Sequence, residues 1–396
     1  MSAADELSME VVDPGEVGMD PERLERVMGS VDEDTCAGMC DGVVLIVARH
    51  GQVVLREAVG KTDLANDRPA GFDDVFCMMS ITKQFTAVRV LMDIERGKFC
   101  LTTPIREVIP EFGIKGKQNV TVKHVMTHTS GINTMMPFGI PIDQLGDLET
   151  VVAFLSNEPV LFRPGTVCSY NATTSMSLLA VMVQRLDEAG RPFRKILEED
   201  LFAPIGMMDT ALGLPDRLKE RLAPIAVRDR TPGLFDPLTL EAINFLVHEA
   251  SEMPATTGFS TAGDVFRFAE MLRRGGELDG ERVLSPATVT LATTIHTGDM
   301  GNHLYDYARE EYGWPEFPAN FGLTFFIRGE GIFPVPMGLT ASAGSFAGLG
   351  AGSNMFMVDP ERDLTIVFLS AGLMEETRNQ LRCQRLADLV IASVLE

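Results

Sequence analysis

Apolar residues run without a break through Val43-Val44-Leu45-Ile46-Val47-Ala48 and resume at Val53-Val54-Leu55, with His50-Gly51 between the two runs. Two such runs joined by a glycine-containing turn predict a β-hairpin over 43–49 and 53–57. Residues 20 to 30, ahead of it, carry the spacing of an amphipathic helix. After an extended lead-in at 72–76, the stretch 84–96 reads as an apolar helix that stops at Gly97. From Leu101 to about Leu246 the pattern changes to helices punctuated by proline and glycine loops, with helical stretches at 147–156, 174–187 and 192–204. A turn at Gly258-Phe259-Ser260-Thr261 precedes a helix from Ala262 to Arg274, and 283–294 predicts another. Strand character returns at 322–327, 354–358 and 364–369, before a closing helix from Thr377 to Leu395. The order predicts an α/β domain built from both ends of the chain, residues 1–100 and 247–396, with a mainly helical domain, 101–246, inserted. A cleft between the two is the expected active site. The stretch 298–320, rich in Gly, Pro and aromatic residues, reads equally as a loop over that cleft or as a solvent-facing insertion.

Composition narrows the function classes. At 396 residues the chain is long enough for a large core and two lobes, and its 45% hydrophobic and 23% charged content is that of an ordinary globular protein. No apolar run reaches the ~18 residues a membrane span needs. The acidic start, Met1-Ser2-Ala3-Ala4-Asp5-Glu6-Leu7, lacks the basic and apolar regions of a signal peptide, so a cytoplasmic location is expected. A net charge of −22 argues against nucleic acid and anionic membranes as partners, and favours a neutral or cationic small molecule as substrate. The six cysteines, Cys36, Cys40, Cys77, Cys100, Cys168 and Cys383, are scattered and complete no zinc pattern. Reduced thiols are expected, and no metal.

Ser80-Ile81-Thr82-Lys83 carries the chemistry. On a helix start this S-x-x-K spacing places a hydroxyl and an amine one turn apart on one face, the arrangement of a nucleophile with its base. The free N–H groups and positive dipole end there favour a developing alkoxide and disfavour a charged lysine.

Other stretches extend the pattern. Val47-Ala48-Arg49-His50-Gly51, Ser80 to Ala87, Glu95-Arg96-Gly97-Lys98, Thr127-His128-Thr129-Ser130-Gly131, Pro164-Gly165-Thr166 leading to Tyr170, Ser260-Thr261-Ala262-Gly263-Asp264 and Asp359-Pro360-Glu361-Arg362 follow one another over most of the chain. In order and approximate spacing this set resembles the serine β-lactamase and penicillin-binding-protein superfamily, and within it the class C β-lactamase-like esterases of the family VIII carboxylesterase type. The resemblance implies a β-lactamase-like fold, an antiparallel sheet flanked by helices with an inserted helical domain. It also implies catalysis by Ser80, Lys83 and Tyr170 without a cofactor. Two departures bear on the substrate. The family's Y-x-N motif here is Tyr170-Asn171-Ala172, so its asparagine is replaced by Ala172, and Asn171 is one residue early. The family's K-T-G or H-x-G triplet, counted back from Asp359-Pro360, falls on Ser342-Ala343-Gly344, without a cation or imidazole; His296-Thr297-Gly298 is a decoy. On that count Gly344 admits the substrate, and the Ser345 N–H pairs with the Ser80 N–H as an oxyanion hole. His128 is read as a buried structural histidine, with a Ser-His-Asp triad as the alternative.

The resulting expectation is a serine hydrolase that cleaves a carboxylic ester of a small, neutral, fairly apolar substrate through an acyl-enzyme on Ser80. An acyltransferase using the same acyl-enzyme is the alternative, with a β-lactamase or D-aminopeptidase behind it. Either Lys83 or Tyr170 is the general base. Asn171, Ser342 and Gly344 are the expected polar contacts to substrate, and Phe138, Trp314 and Phe346 the expected apolar walls.

Overall fold

The computed structural model describes residues 7–132 and 139–395. Its centre is a seven-stranded sheet built from β1 (Gly42–Arg49), β2 (Gln52–Asp63) and the short β3 (Arg68–Pro69) near the start of the chain, and four strands near its end. Between these groups a small three-stranded sheet is made by β4 (Phe76–Cys77), β5 (Ala211–Leu212) and β6 (Gly258–Ser260), in the order β4-β6-β5. The late strands are β7 (Phe326–Ile327), β8 (Phe346–Gly350), β9 (Asn354–Asp359) and β10 (Leu364–Ala371). The order in the large sheet is β3-β2-β1-β10-β9-β8-β7, and every neighbour is antiparallel. β1 and β10 therefore sit side by side at the centre, Gly42 opposite Ala371 and Arg49 opposite Leu364.

Both faces of this sheet are covered, which explains why β1 is apolar at every position from Val43 to Ala48 instead of alternating. Val44, Ile46 and Ala48 point to one core with Val367 and Leu369; Val43, Leu45 and Val47 point to the other with Ile366 and Phe368. Four helices do most of the covering, α1 (Pro21–Cys36), α2 (Thr82–Glu95), α4 (Ala262–Arg273) and α5 (Glu376–Ala392), and α3 (Ser175–Arg185) packs against α2. α1 and α5 pack on the second face through Leu24, Val27, Leu386 and Val390, and α2 and α4 on the first through Phe85, Val88, Phe266 and Phe268. Pro21 in the first turn and the Asp20 carboxylate, accepting from Glu22 and Arg23 N–H, start α1; Thr261 caps α4 in the same way through Asp264 N–H. α2 is buried almost all round, and its Arg89 guanidinium is neutralised by Asp93 at 2.7 Å and Asp200 at 3.0 Å.

The elements depart from expectation in three places. The stretch 322–327 is a strand only at Phe326–Ile327, because Thr324 takes a left-handed φ of 75° and turns its backbone away to serve Met126 and Gln84. The stretch 192–204 divides into a helix at Phe193–Leu197 and a π-helical turn at Glu198–Phe202. β8 went unread altogether: two glycines and an alanine in Phe346-Ala347-Gly348-Leu349-Gly350 carry no strand signal. No helix among the described residues is long and apolar enough to cross a membrane.

Candidate active site

Ser80 lies in a single 3₁₀ turn, Met79–Ile81, that feeds directly into α2. Met79 before it takes a φ of 49°, a conformation that is costly for a side chain with a Cβ and persists only where the surroundings fix it. Here the flanking backbone is tied on both sides. Met78 N–H donates to the Gly258 carbonyl at 2.7 Å, and the Asn354 amide donates to the Cys77 carbonyl at 2.8 Å. The turn thus holds the serine hydroxyl clear of its own helix, at the positive end of α2.

One turn on, the Lys83 amine is fully buried. It donates to Ser80 Oγ at 3.0 Å, to the Ala172 carbonyl at 2.7 Å and to the Ala255 carbonyl at 3.1 Å. Its three hydrogen-bond partners are uncharged oxygens, so nothing offsets the cost of burying the cation, and burial pushes the amine down to about 7. Tyr170 arrives on a loop pinned to the 127–131 stretch, Ser169 N–H on the His128 carbonyl and Gly165 N–H on the Thr129 carbonyl. Its hydroxyl faces Ser80, and its ring centroid lies 5.0 Å from the Lys83 amine. Burial pushes the phenol up. Ser80, Lys83 and Tyr170, predicted as a unit, are brought together.

His128 lies beneath them. Its ring packs 4.4 Å from that of Tyr170, and its Nδ1 accepts the Asn171 N–H. Burial first, and the nearby Lys83 second, push it down to about 3, which keeps it neutral. The imidazole is a platform for Tyr170.

The expected substrate contacts fare differently. Asn171 is buried and turned inward: its side-chain oxygen accepts from Thr174 and Ser175 N–H and caps the start of α3. Ser342 N–H is bound to Asp359, and its hydroxyl to Arg362. The Ser345 N–H is spent on the Ser342 carbonyl at 2.9 Å, so it has no proton to give an oxyanion. Gly344 faces open solvent. All three precede β8, whereas Ser80 lies beside the other end of that strand. At ~3.3 Å per residue Ser345 and Ala351, on either side of the strand, are roughly 20 Å apart. Phe346 packs edge-on against Phe325 in the core, and Trp314 stacks on Tyr312, neither of them lining the pocket. Phe138 falls outside the described residues.

The strand edge that does meet Ser80 is Gly348-Leu349-Gly350, followed by Ala351. A Cβ on Gly350 would stand 2.6 Å from the Met78 carbonyl, so glycine is required for the strand to lie this close to the nucleophile turn. Ala351 lines the same pocket as Ser80, and among the described residues neither N–H has a protein acceptor. The signal for this edge was the spaced glycines at 348, 350 and 352, each placed where a Cβ would collide with neighbouring atoms. The pocket itself is a cleft of about 350 Å³. Its apolar wall is Phe235, Leu240, Ile243, Leu246 and Met253, from a segment that sequence reasoning left without a role. The 298–320 stretch reaches it only through His303 and Leu304.

Known proteins share this fold. The family described as beta-lactamase matches residues 27–390. Esterase EstB of Burkholderia gladioli is 30% identical over 265 residues, which cover 59% of this chain and 65% of EstB. A penicillin-binding protein homologue from Caulobacter crescentus superposes with a TM-score of 0.79 at 24% identity, over 95% of this chain and 99% of its own. EstCE1, a hydrolase with promiscuous acyltransferase activity, superposes with a TM-score of 0.75 at 21% identity, over 92% of this chain and 98% of its own. The antiparallel sheet flanked by helices is a β-lactamase-like fold.

Proposed function

Since the chain belongs to the beta-lactamase family, we propose that it is a serine hydrolase that cleaves neutral, fairly apolar carboxylic esters through an acyl-enzyme on Ser80. The observation that carries this reading is the Lys83 amine, 3.0 Å from Ser80 Oγ and brought down by its burial to about 7, so that the free amine is well populated near neutral pH. A free amine beside a serine hydroxyl is a base in place.

The chemistry follows from the geometry. Ser80 Oγ attacks the ester carbonyl carbon while its proton passes to Lys83 Nζ. The carbonyl oxygen becomes the oxyanion and takes the Ser80 and Ala351 N–H groups, an interaction worth about 3–4 kcal/mol per donor in comparable sites. The C–O bond to the alcohol then breaks. Tyr170 hands its hydroxyl proton to the departing oxygen and is reprotonated from Lys83. Water then gives a proton to Lys83 and attacks the acyl carbon; the bond to Ser80 Oγ breaks, Lys83 returns the proton to that oxygen, and the carboxylic acid leaves. Burial favours Lys83 over Tyr170 as the base, since it lowers the amine and raises the phenol.

Two features support an ester over a β-lactam. The strand edge beside Ser80, Gly348-Leu349-Gly350, offers no cation or imidazole to a substrate carboxylate, and Asn171 is committed to its helix cap. The pocket wall is mostly aliphatic and aromatic. EstB is named an esterase, in line with this choice. The test is labelling of Ser80 by a fluorophosphonate probe, followed by turnover of p-nitrophenyl esters of increasing chain length against nitrocefin. Ester turnover should exceed nitrocefin turnover by orders of magnitude in kcat/KM; equal rates would overturn the ester assignment. Adding an alcohol acceptor and measuring ester formed against acid released separates hydrolysis from acyl transfer.

A further inference from the structure

Glu376 stands at the first position of α5, directly after the residue that caps that helix, and nothing in its local sequence marks it for chemistry. Yet its carboxyl is buried and forms part of the wall of a small cavity shared with Ser80, Tyr170, Leu349 and Ala351. One of its oxygens accepts the Gly352 N–H at 2.6 Å. Gly352 takes a φ of 67° and immediately follows Ala351, so this hydrogen bond fixes the turn that orients the Ala351 N–H. A second contact pins the same turn from the same segment, Met374 N–H on the Gly352 carbonyl at 2.9 Å. The start of α5 is thereby fastened to the end of β8 beside the nucleophile.

We propose, on the premise that the site performs acyl transfer, that Glu376 is a positioning residue for its oxyanion hole. As the neutral acid it aims the Ala351 N–H at the oxyanion, and as the carboxylate it sets a negative charge against that oxyanion and halts turnover. The groups that face it bear this out. On its own helix, Glu375 disfavours its ionisation and Arg382 favours it; Arg382 Nη2 donates to the Ser353 carbonyl, Ser370 and Asn379, while its Nε and Nη1 find no acceptor among the described residues. From the other elements it faces the Gly352 N–H and the phenols of Tyr170 and Tyr305, both of which its charge pushes up. Beyond Tyr170 lie neutral His128 and Lys83, the latter bound to two backbone carbonyls. Burial outweighs the rest and holds the Glu376 acid up to about 8. Activity should accordingly rise as Lys83 loses its proton near 7 and fall as Glu376 loses its own near 8.

The experiment measures kcat and KM of the full chain on a neutral ester across that range, with product quantified independently of pH. Glu376→Gln keeps the acceptor and cannot ionise. It should hold kcat within about threefold of the wild type at neutral pH and abolish the alkaline limb. Glu376→Ala removes the acceptor and should lower kcat about tenfold or more with little change in KM, slowing phosphonate labelling in parallel. A Glu376→Gln profile that keeps the alkaline limb, or a Glu376→Ala kcat within about twofold of wild type, overturns the proposal. If the alanine variant does not fold, the glutamine profile decides alone. A wild type that neither labels at Ser80 nor turns over ester overturns the acyl-transfer reading itself, and Glu376 with it; an active wild type whose variants fail these expectations overturns only the role of Glu376.

Discussion

The two halves of the site are built by opposite means. The proposed nucleophile half, Ser80 and Lys83, is local in its spacing: three residues at a helix start bring the hydroxyl and the amine to 3.0 Å. The proposed oxyanion half is not local at all. Ala351 reaches Ser80 because β8 pairs with β9 in a fixed register, Phe346 opposite Val358 and Gly350 opposite Asn354, and because α5 fastens the turn that follows. Side-chain spacing determines the first half. Sheet register determines the second, and a shift along the strand changes which N–H meets the serine.

The largest effects belong to the local half. Ser80→Ala should abolish phosphonate labelling and cost at least ~1,000-fold in kcat, and Lys83→Met should cost about as much, because the two groups disable one step. Retained turnover in either would break the nucleophile assignment. Lys83→Met should also raise the melting temperature near neutral pH. The sign follows from linkage. The folded-state amine titrates near 7 and the unfolded one near 10.4, so between those values the unfolded chain binds more protons and stability rises with pH. At neutral pH, the low end of that window, the native state must either bury a cation or release a proton, and methionine removes the cost. A melting temperature unchanged or lowered at neutral pH would mean that the amine is better solvated than its burial implies. Tyr170→Phe comes next, with a loss of about 100-fold in kcat in a protein of unchanged stability, since the ring still packs on His128. Near-normal turnover would reduce Tyr170 to a wall of the pocket.

The same contrast governs what could be read from the sequence. The sheet strands 43–49, 354–358 and 364–369 and helices 84–96 and 262–274 were legible because long apolar runs and capping residues act within their own segments. Ser80, Lys83 and Tyr170 were legible as motif residues. β8 was not, because its glycines answer to distant atoms: the Met78 carbonyl at Gly350 and the Phe356 ring at Gly348. Missing that strand, a count back from Asp359 stopped at Ser342 to Ser345, at the wrong end of it. Asn171 misled for a related reason. A polar side chain in a motif context reads as a substrate contact, yet here helix α3 needs a cap, and the asparagine oxygen supplies it. Glu376 gave no signal because its relevance arises only once α5 is docked on the sheet.

A pair of glycine substitutions separates the two ends of β8 directly. Gly350→Ala drives a Cβ to 2.6 Å from the Met78 carbonyl and must displace either the Ala351 N–H or the nucleophile turn. A loss of about tenfold or more in kcat is expected, with a smaller change in KM. Gly344→Ala meets open space and should leave kcat and KM within about twofold of wild type. If instead Gly344→Ala were the damaging change, the oxyanion donor would lie at Ser345 after all, and the register argument would fail.

The smallest expected effect concerns the pocket wall, and it is read as a profile, not a rate. Ile243 and Leu246 face the cleft from the 234–253 segment, while Trp314 stacks on Tyr312 outside it. Each ester methylene buried against that wall gains about 0.8 kcal/mol, close to a fourfold gain in kcat/KM per added carbon. Ile243→Ala deepens the cleft, so the preferred acyl or alcohol chain should lengthen by one or two carbons while the rate on the shortest ester changes little. Trp314→Ala should leave the whole profile in place. A profile that shifted with Trp314 and ignored Ile243 would move the specificity wall to the 298–320 stretch. Ser80, Lys83 and Tyr170 would stand, but the bound ester would have to run from Ser80 toward His303 instead of toward Phe235.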